Sequence, residues 1–194
     1  AKGGVFIDDV RVQKLTAEQY SDASPESSVI ANADSDITDS TGVTNGAFYS
    51  YNITDGKLIP TGWNKIVAGD STTNGYGYSS VKADDSDASY EVVKASDPEA
   101  NVGTYECAMK MSSSINTAFA MQSSAISVAS GKYELITVNL SAMNVTGSGA
   151  SIVIRRSNGA IVAVKENITV AGTYAFCIKG DSSESTTVPS RFTM

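Results

Sequence analysis

The sequence predicts an all-β fold, a β-sandwich or jelly roll, and three observations carry that prediction. Apolar and polar residues alternate at a period of two through most of the chain beyond Gly103, as they do where one face of a strand is buried and the other is wet. Clusters of glycine, serine, asparagine and aspartate separate these runs at short intervals, which is the punctuation of turns. Helical periodicity is nearly absent; only "LTAEQY", residues 15–20, could make a single turn. With 194 residues the chain is long enough for one sizeable core and too short for two ordinary domains.

The first element is "AKGGVFIDDVRVQK", residues 1–14. A glycine pair leads into Val5, Phe6, Ile7, Val10 and Val12, and Asp8 and Asp9 interrupt the run although aspartate is depleted in strands. Residues 15–40 are polar and acidic, lack a sustained period, and read as a connector with at most a short strand at "SSVIA". From Thr41 to Met194 the text is that of a sandwich. Its looser first part offers "GAFYSY", "GWNKIVA", "GYGYSSVK" and "ASYEVVK" as short strands.

The later strands are clearer. "GTYECAMKM" sets Tyr105, Cys107, Met109 and Met111 on one face, and "TAFAMQSSAISV" does the same with Phe119 and Met121. "KYELITVNLS" changes phase between Leu135 and Ile136, which predicts a bulge or a strand covered on both faces. "ASIVIRRSNGAIVAVKE" is a hairpin folded across Ser157, Asn158 and Gly159, because Asn-Gly supplies positive φ angles. "GTYAFCIKG" puts Tyr174, Phe176 and Ile178 on one face, and "DSSESTTVPSRFTM" leads from a polar loop into a last strand.

Charge and composition narrow the function. Lysine and arginine number 14 against 21 acids, a formal net charge of -7, which repels phosphate backbones and anionic lipid and argues against nucleic acid as a partner. No apolar run of about 18 residues predicts insertion into a membrane. Histidine is absent, which removes the commonest general base and imidazole ligand, and no nucleophile elbow or phosphate loop is found. A non-catalytic protein is expected. Cys107 and Cys177 match no zinc or redox spacing and could pair or stay as two buried thiols. The abundance of serine, threonine and glycine suits an exported, extracellular or cell-surface protein.

Several of these segments resemble the jelly-roll carbohydrate-binding modules of families four, nine and twenty-two. "TNGAFYSYNITDGKLIPTGWNKIVAGD" resembles their opening, N-G-x-F followed by P-x-G-W; "AFAMQSSAISVASGKYELITVNL" is similar to their middle; "GGVFIDDVRV" is similar to their final I-D-x-V strand. The resemblance implies a galactose-binding-like sandwich and, as one function, a module that tethers an enzyme or cell to polysaccharide. It also implies a structural calcium held in part by Asp8, although Tyr49 stands where the family usually supplies a carboxylate.

Relative to that family the strand order is rotated, with the final strand at the N-terminus. A strand like residues 1–14 would complete a sandwich built by residues 41–194. It could come from a covalently repeating polypeptide, from a neighbouring subunit by donor-strand complementation, or from its own chain as a circular permutation; the first two are preferred. On that reading Val5, Phe6, Ile7, Val10 and Val12 form the donated strand, the partners are copies of the chain joined head to tail, and the product is a filament or repetitive surface protein.

Other candidates follow from residue type. Tyr76 and Tyr78, spaced to share a face beside glycines, are candidate stacking platforms for sugar rings, with Tyr49 and Tyr51 a second pair. Trp63, the single tryptophan, is expected in the core. The acidic groups Asp34, Asp36, Asp39 and Asp84, Asp85, Asp87 fit no EF-hand and are expected to be solvated. Asn52, Asn139, Asn144 and Asn167 head N-x-S/T sequons.

Overall fold

The computed structural model describes residues 2–18, 45–67, 88–94, 106–114, 119–123, 125–126, 128–147, 149–156, 161–180 and 186–193. These residues form thirteen strands: β1 (Lys2–Leu15), β2 (Tyr51–Thr54), β3 (Lys57–Pro60), β4 (Trp63–Val67), β5 (Ala88–Lys94), β6 (Cys107–Ser113), β7 (Phe119–Ser123), β8 (Ala125–Ile126), β9 (Tyr133–Thr146), β10 (Ala150–Arg156), β11 (Ile161–Ile168), β12 (Gly172–Lys179) and β13 (Thr186–Thr193). All the pairings are antiparallel. One sheet runs β12-β9-β1-β6-β5, the other β11-β10-β13-β7-β4 with β8 against β13, and β2 and β3 make a separate hairpin. The fold is an all-β sandwich.

The core lies where period-two faces of the two sheets meet. Val5, Ile7, Val10 and Val12 of β1, Met109 and Met111 of β6, Ile136, Val138 and Leu140 of β9, and Phe176 and Ile178 of β12 pack in one cluster with Ile152 and Ile154 of β10 and Met121 of β7. The expected faces of β6 and β12 therefore line this core. Between Leu135 and Ile136 the β9 register with β12 is continuous, so the change of phase there reflects cover on both faces. Leu135 joins Leu15, Ala175 and Cys177 in a second buried cluster with Tyr133.

Two expected elements differ. "GAFYSY" is a turn over Asn45 to Ala47, with Asn45 at φ 56° and Phe48 at φ 59°, and the strand starts only at Tyr51. Left-handed residues cannot continue a pleated ladder. The first strand extends to Leu15, one residue beyond its expected end, because Leu15 fits the apolar cluster beside Tyr133. Of "LTAEQY", Ala17 and Glu18 are helical. "SSVIA" and "GYGYSSVK" lie outside the described residues, as do the two acidic groups and the turn expected at Ser157, Asn158 and Gly159.

Candidate functional site

The feature that sets this sandwich apart is the slot holding β1. In the single chain the strand lies in its own sandwich, between β9 and β6, the third of the three sources weighed above. Along β9 it pairs from Lys2 opposite Thr146 to Leu15 opposite Tyr133. Along β6 it pairs only from Gly3 opposite Ser113 to Ile7 opposite Met109. Beyond Ile7 a loop takes over that edge, where Val10 N donates to Gly46 O at 3.0 Å.

That loop is built by the motif that resembled N-G-x-F. Asn45 Oδ1 accepts from Ser50 N at 2.9 Å, and its Nδ2 donates to Ser50 O at 2.6 Å and Thr61 O at 3.0 Å. Its carbonyl accepts from Phe48 N at 3.2 Å and from Trp63 Nε1 at 3.2 Å. The Phe48 and Trp63 rings pack with centroids 5.2 Å apart, and both side chains are buried. Trp63 is thus a core anchor with its indole N–H satisfied. The two motifs form one joint bearing on β1.

Of the five residues expected to donate the strand, Val5, Ile7, Val10 and Val12 point into the core. Phe6 lies on the other face, half-buried, with Lys110 Nζ 5.7 Å from its ring centroid. Leu15 is a fifth buried apolar residue, missed because it opens a polar segment. At about 1.5–3 kcal/mol each, the four inward residues stabilise by roughly 6–12 kcal/mol before ordering entropy. A whole domain commonly has a net stability of about 5–15 kcal/mol. An empty slot would leave the facing edges of β9 and β6 exposed, and such edges invite pairing.

Asp8 is wholly buried and accepts from Asn139 Nδ2 at 3.2 Å. Asp9 is ion-paired with Arg11 Nε; burial pushes its pKa up and Arg11 opposes that push. No three His, Cys, Asp or Glu residues come together among the described residues, so a calcium at Asp8 would draw most of its six to eight oxygens from backbone carbonyls. Cys107 and Cys177 are free thiols, one in the main core and the other in the second cluster; burial raises both pKa values.

The remaining candidates scatter. Tyr76 and Tyr78 lie outside the described residues. Tyr49 is 54% exposed, whereas Tyr51 packs against the core with Lys94 Nζ 4.8 Å from its ring centroid. Asn52, Asn144 and Asn167 are exposed, while Asn139 is half-buried with its amide committed to Asp8. Sequence reasoning missed Glu134, which is buried at 3% exposure with Oε2 lacking a hydrogen-bond donor. Burial raises its pKa to about 7, against a lowering influence from Lys14. It continues the inward phase of Ile136, Val138 and Leu140, the signal that could have placed it.

No protein-family model matches the chain, and no curated protein or solved structure is detectably similar to it.

Proposed function

We propose that the chain is a non-catalytic, extracellular structural module in which a detachable first strand completes a sandwich. Successive copies then join head to tail, through strand complementation or covalent repetition. The observation that supports this most is where the strand's ends lie. Lys2 is opposite Thr146 and Thr193 is opposite Ser151, so the start of β1 and the end of β13 flank the same short turn between β9 and β10. A strand arriving after β13 would meet the slot at its entrance.

The connection on the other side has slack. Val10 is bonded to Gly46, so a chain leaving Leu15 has only about five residues of strand, roughly 17 Å, to retrace before reaching the loop. Residues 16–44 could extend to at most roughly 95 Å at ~3.3 Å per residue. That length serves a strand placed in its own sandwich or in a neighbour's.

Cysteines at positions 2 and 146 would test the proposal. After refolding at high concentration, oxidation is expected to give disulfide-linked multimers as well as closed monomers. Closed monomers alone at every concentration would overturn exchange between copies. Tyr49, exposed ahead of a hairpin that carries the 73% exposed Ile53, supports a second reading, attachment to polysaccharide. Retention on glucan, xylan or mannan gels that is lost on Tyr49→Ala would favour it. The calcium reading expects a higher melting temperature in calcium than in chelator, and no such difference in Asp8→Asn.

A further inference from the structure

The slot does more than offer two edges. The pairing of β1 with β9 is uniform except at one point, where Phe6 faces Ala142, Ile7 faces Leu140 and Asp9 faces Asn139. The register passes over Ser141 on one strand and Asp8 on the other, then resumes as before. Both strands change phase there. Inward residues run Val5, Ile7, then Val10, Val12 on β1; on β9 they run Ile136, Val138, Leu140, after which Met143 and Val145 pack against the core.

Matched changes of phase make a slip costly. If β1 slid by two residues, its change of phase would no longer meet that of β9, and side chains between the two points would face the wrong way. Asp8 would also leave Asn139, losing the hydrogen bond that the amide donates to the buried carboxylate.

A second constraint sits near the other end of the strand. Gly3 has φ +134°, and a Cβ there would lie 1.8 Å from Asn144 O and 2.9 Å from Val145 Cα. These are backbone atoms of β9, so no side-chain movement relieves the clash. A slip of two residues would bring Ala1 or Val5 to this place, and each carries the forbidden Cβ. A slip of one would bring Gly4 or Lys2, and either would turn every inward side chain outward.

We propose that the slot is a register-reading acceptor, keyed by Gly3 against Asn144 and by Asp8 against Asn139, that admits the β1 segment of this chain or of a second copy in one alignment only. The proposal builds on the reading of the slot as a strand acceptor and specifies what that acceptor selects: a strand with glycine five residues before a buried aspartate, and apolar residues in the phases of Val5, Ile7, Val10 and Val12. A buried polar pair that fixes alignment has precedent in helical assemblies.

The test uses the full chain with Lys2→Cys and either Thr146→Cys or, for the slipped alignment, Asn144→Cys, the disulfides being mapped by mass spectrometry. The 2–146 bond is expected to form at least tenfold faster than the slipped 2–144 bond. Gly3→Ala is expected to cut the 2–146 bond tenfold or more, and the Asp8→Val, Asn139→Val double variant to let slipped bonds form. Asp8→Asn keeps a polar group in place and is expected to retain the 2–146 preference. Slipped bonds in the otherwise native chain would overturn the proposal, as would an undiminished 2–146 bond in Gly3→Ala. A double variant that unfolds, or that holds the 2–146 bond alone, would overturn the role of Asp8 and Asn139 as a key. Whether the products are monomers or multimers reports separately on exchange between copies.

Discussion

Each sheet of the sandwich has at its centre a strand from one end of the described chain: β1 in one, β13 in the other. The two are held differently. β1 pairs with β9 over its whole length and returns to register after its single irregularity. Among the described residues β13 pairs with β7 at Phe192 and Thr193 and with β8 at Thr186 and Thr187, and its register with β10 shifts between Val153 and Arg155. Pro189 falls within that shift. Proline brings no N–H to a ladder, and such a gap is where a sheet tolerates it. A central position thus does not by itself demand a tightly specified strand. The tighter specification belongs to the strand whose connection to the rest of the chain is longest, where nothing local sets its alignment.

The largest contrast is expected from Ile7→Ala, which removes a wholly buried side chain and should cost about 2–5 kcal/mol in denaturant unfolding. Pro189→Ala, in the register gap of β13, is expected to stay within about 1 kcal/mol. A Pro189 effect as large as that of Ile7 would break the comparison.

Asn45→Ala comes next, at about 1–3 kcal/mol, because it removes the hydrogen bonds that shape the joint and puts a Cβ residue without a polar side chain at φ 56°. Asn45→Gly would separate the two causes, since glycine accepts the backbone angle. If the loop matters to β1, hydrogen exchange at Val10 should quicken in both variants.

An effect of similar size, confined to a pH window, concerns Glu134. Its carboxyl has a pKa near 7 in the fold and an ordinary carboxylate value when unfolded. The folded state therefore binds the proton more tightly, and the associated stability is present below about pH 4.3 and is lost as pH rises to about 7. Glu134→Gln should flatten that part of the melting profile and raise stability at pH 8 by on the order of 2 kcal/mol, less than the full linkage because the amide that replaces the carboxyl is itself a buried polar group. An equally steep profile in the variant would show that Glu134 is not its source.

Much of the sandwich was legible because its signals are local. The core-facing sides of β6 and β12, the pairing of β10 with β11 and the burial of Trp63 follow from period and residue type. The turn over Asn45 to Ala47 reads as a strand in sequence because "GAFYSY" is rich in aromatic residues that favour strands, and the loop is shaped by hydrogen bonds to Ser50, Thr61 and Trp63, which lie further along the chain. Leu15 and Glu134 were missed for a related reason. Leu15 owes its burial to residues of β9 and β12, which nothing beside it in sequence announces, and Glu134 carries only the faint signal of a phase shared with Ile136, Val138 and Leu140.

The same division holds for the slot. By itself the sequence determined that residues 1–14 make an apolar strand broken by two aspartates, because side-chain period and β-propensity are properties of neighbours. Only the tertiary structure decided that this strand lies between β9 and β6, that its break coincides with a break in β9, and that Gly3 meets the backbone at Asn144. Those are relations between residues more than a hundred positions apart, and register between distant strands is set by the fit of side chains and backbones brought together, which no local pattern encodes.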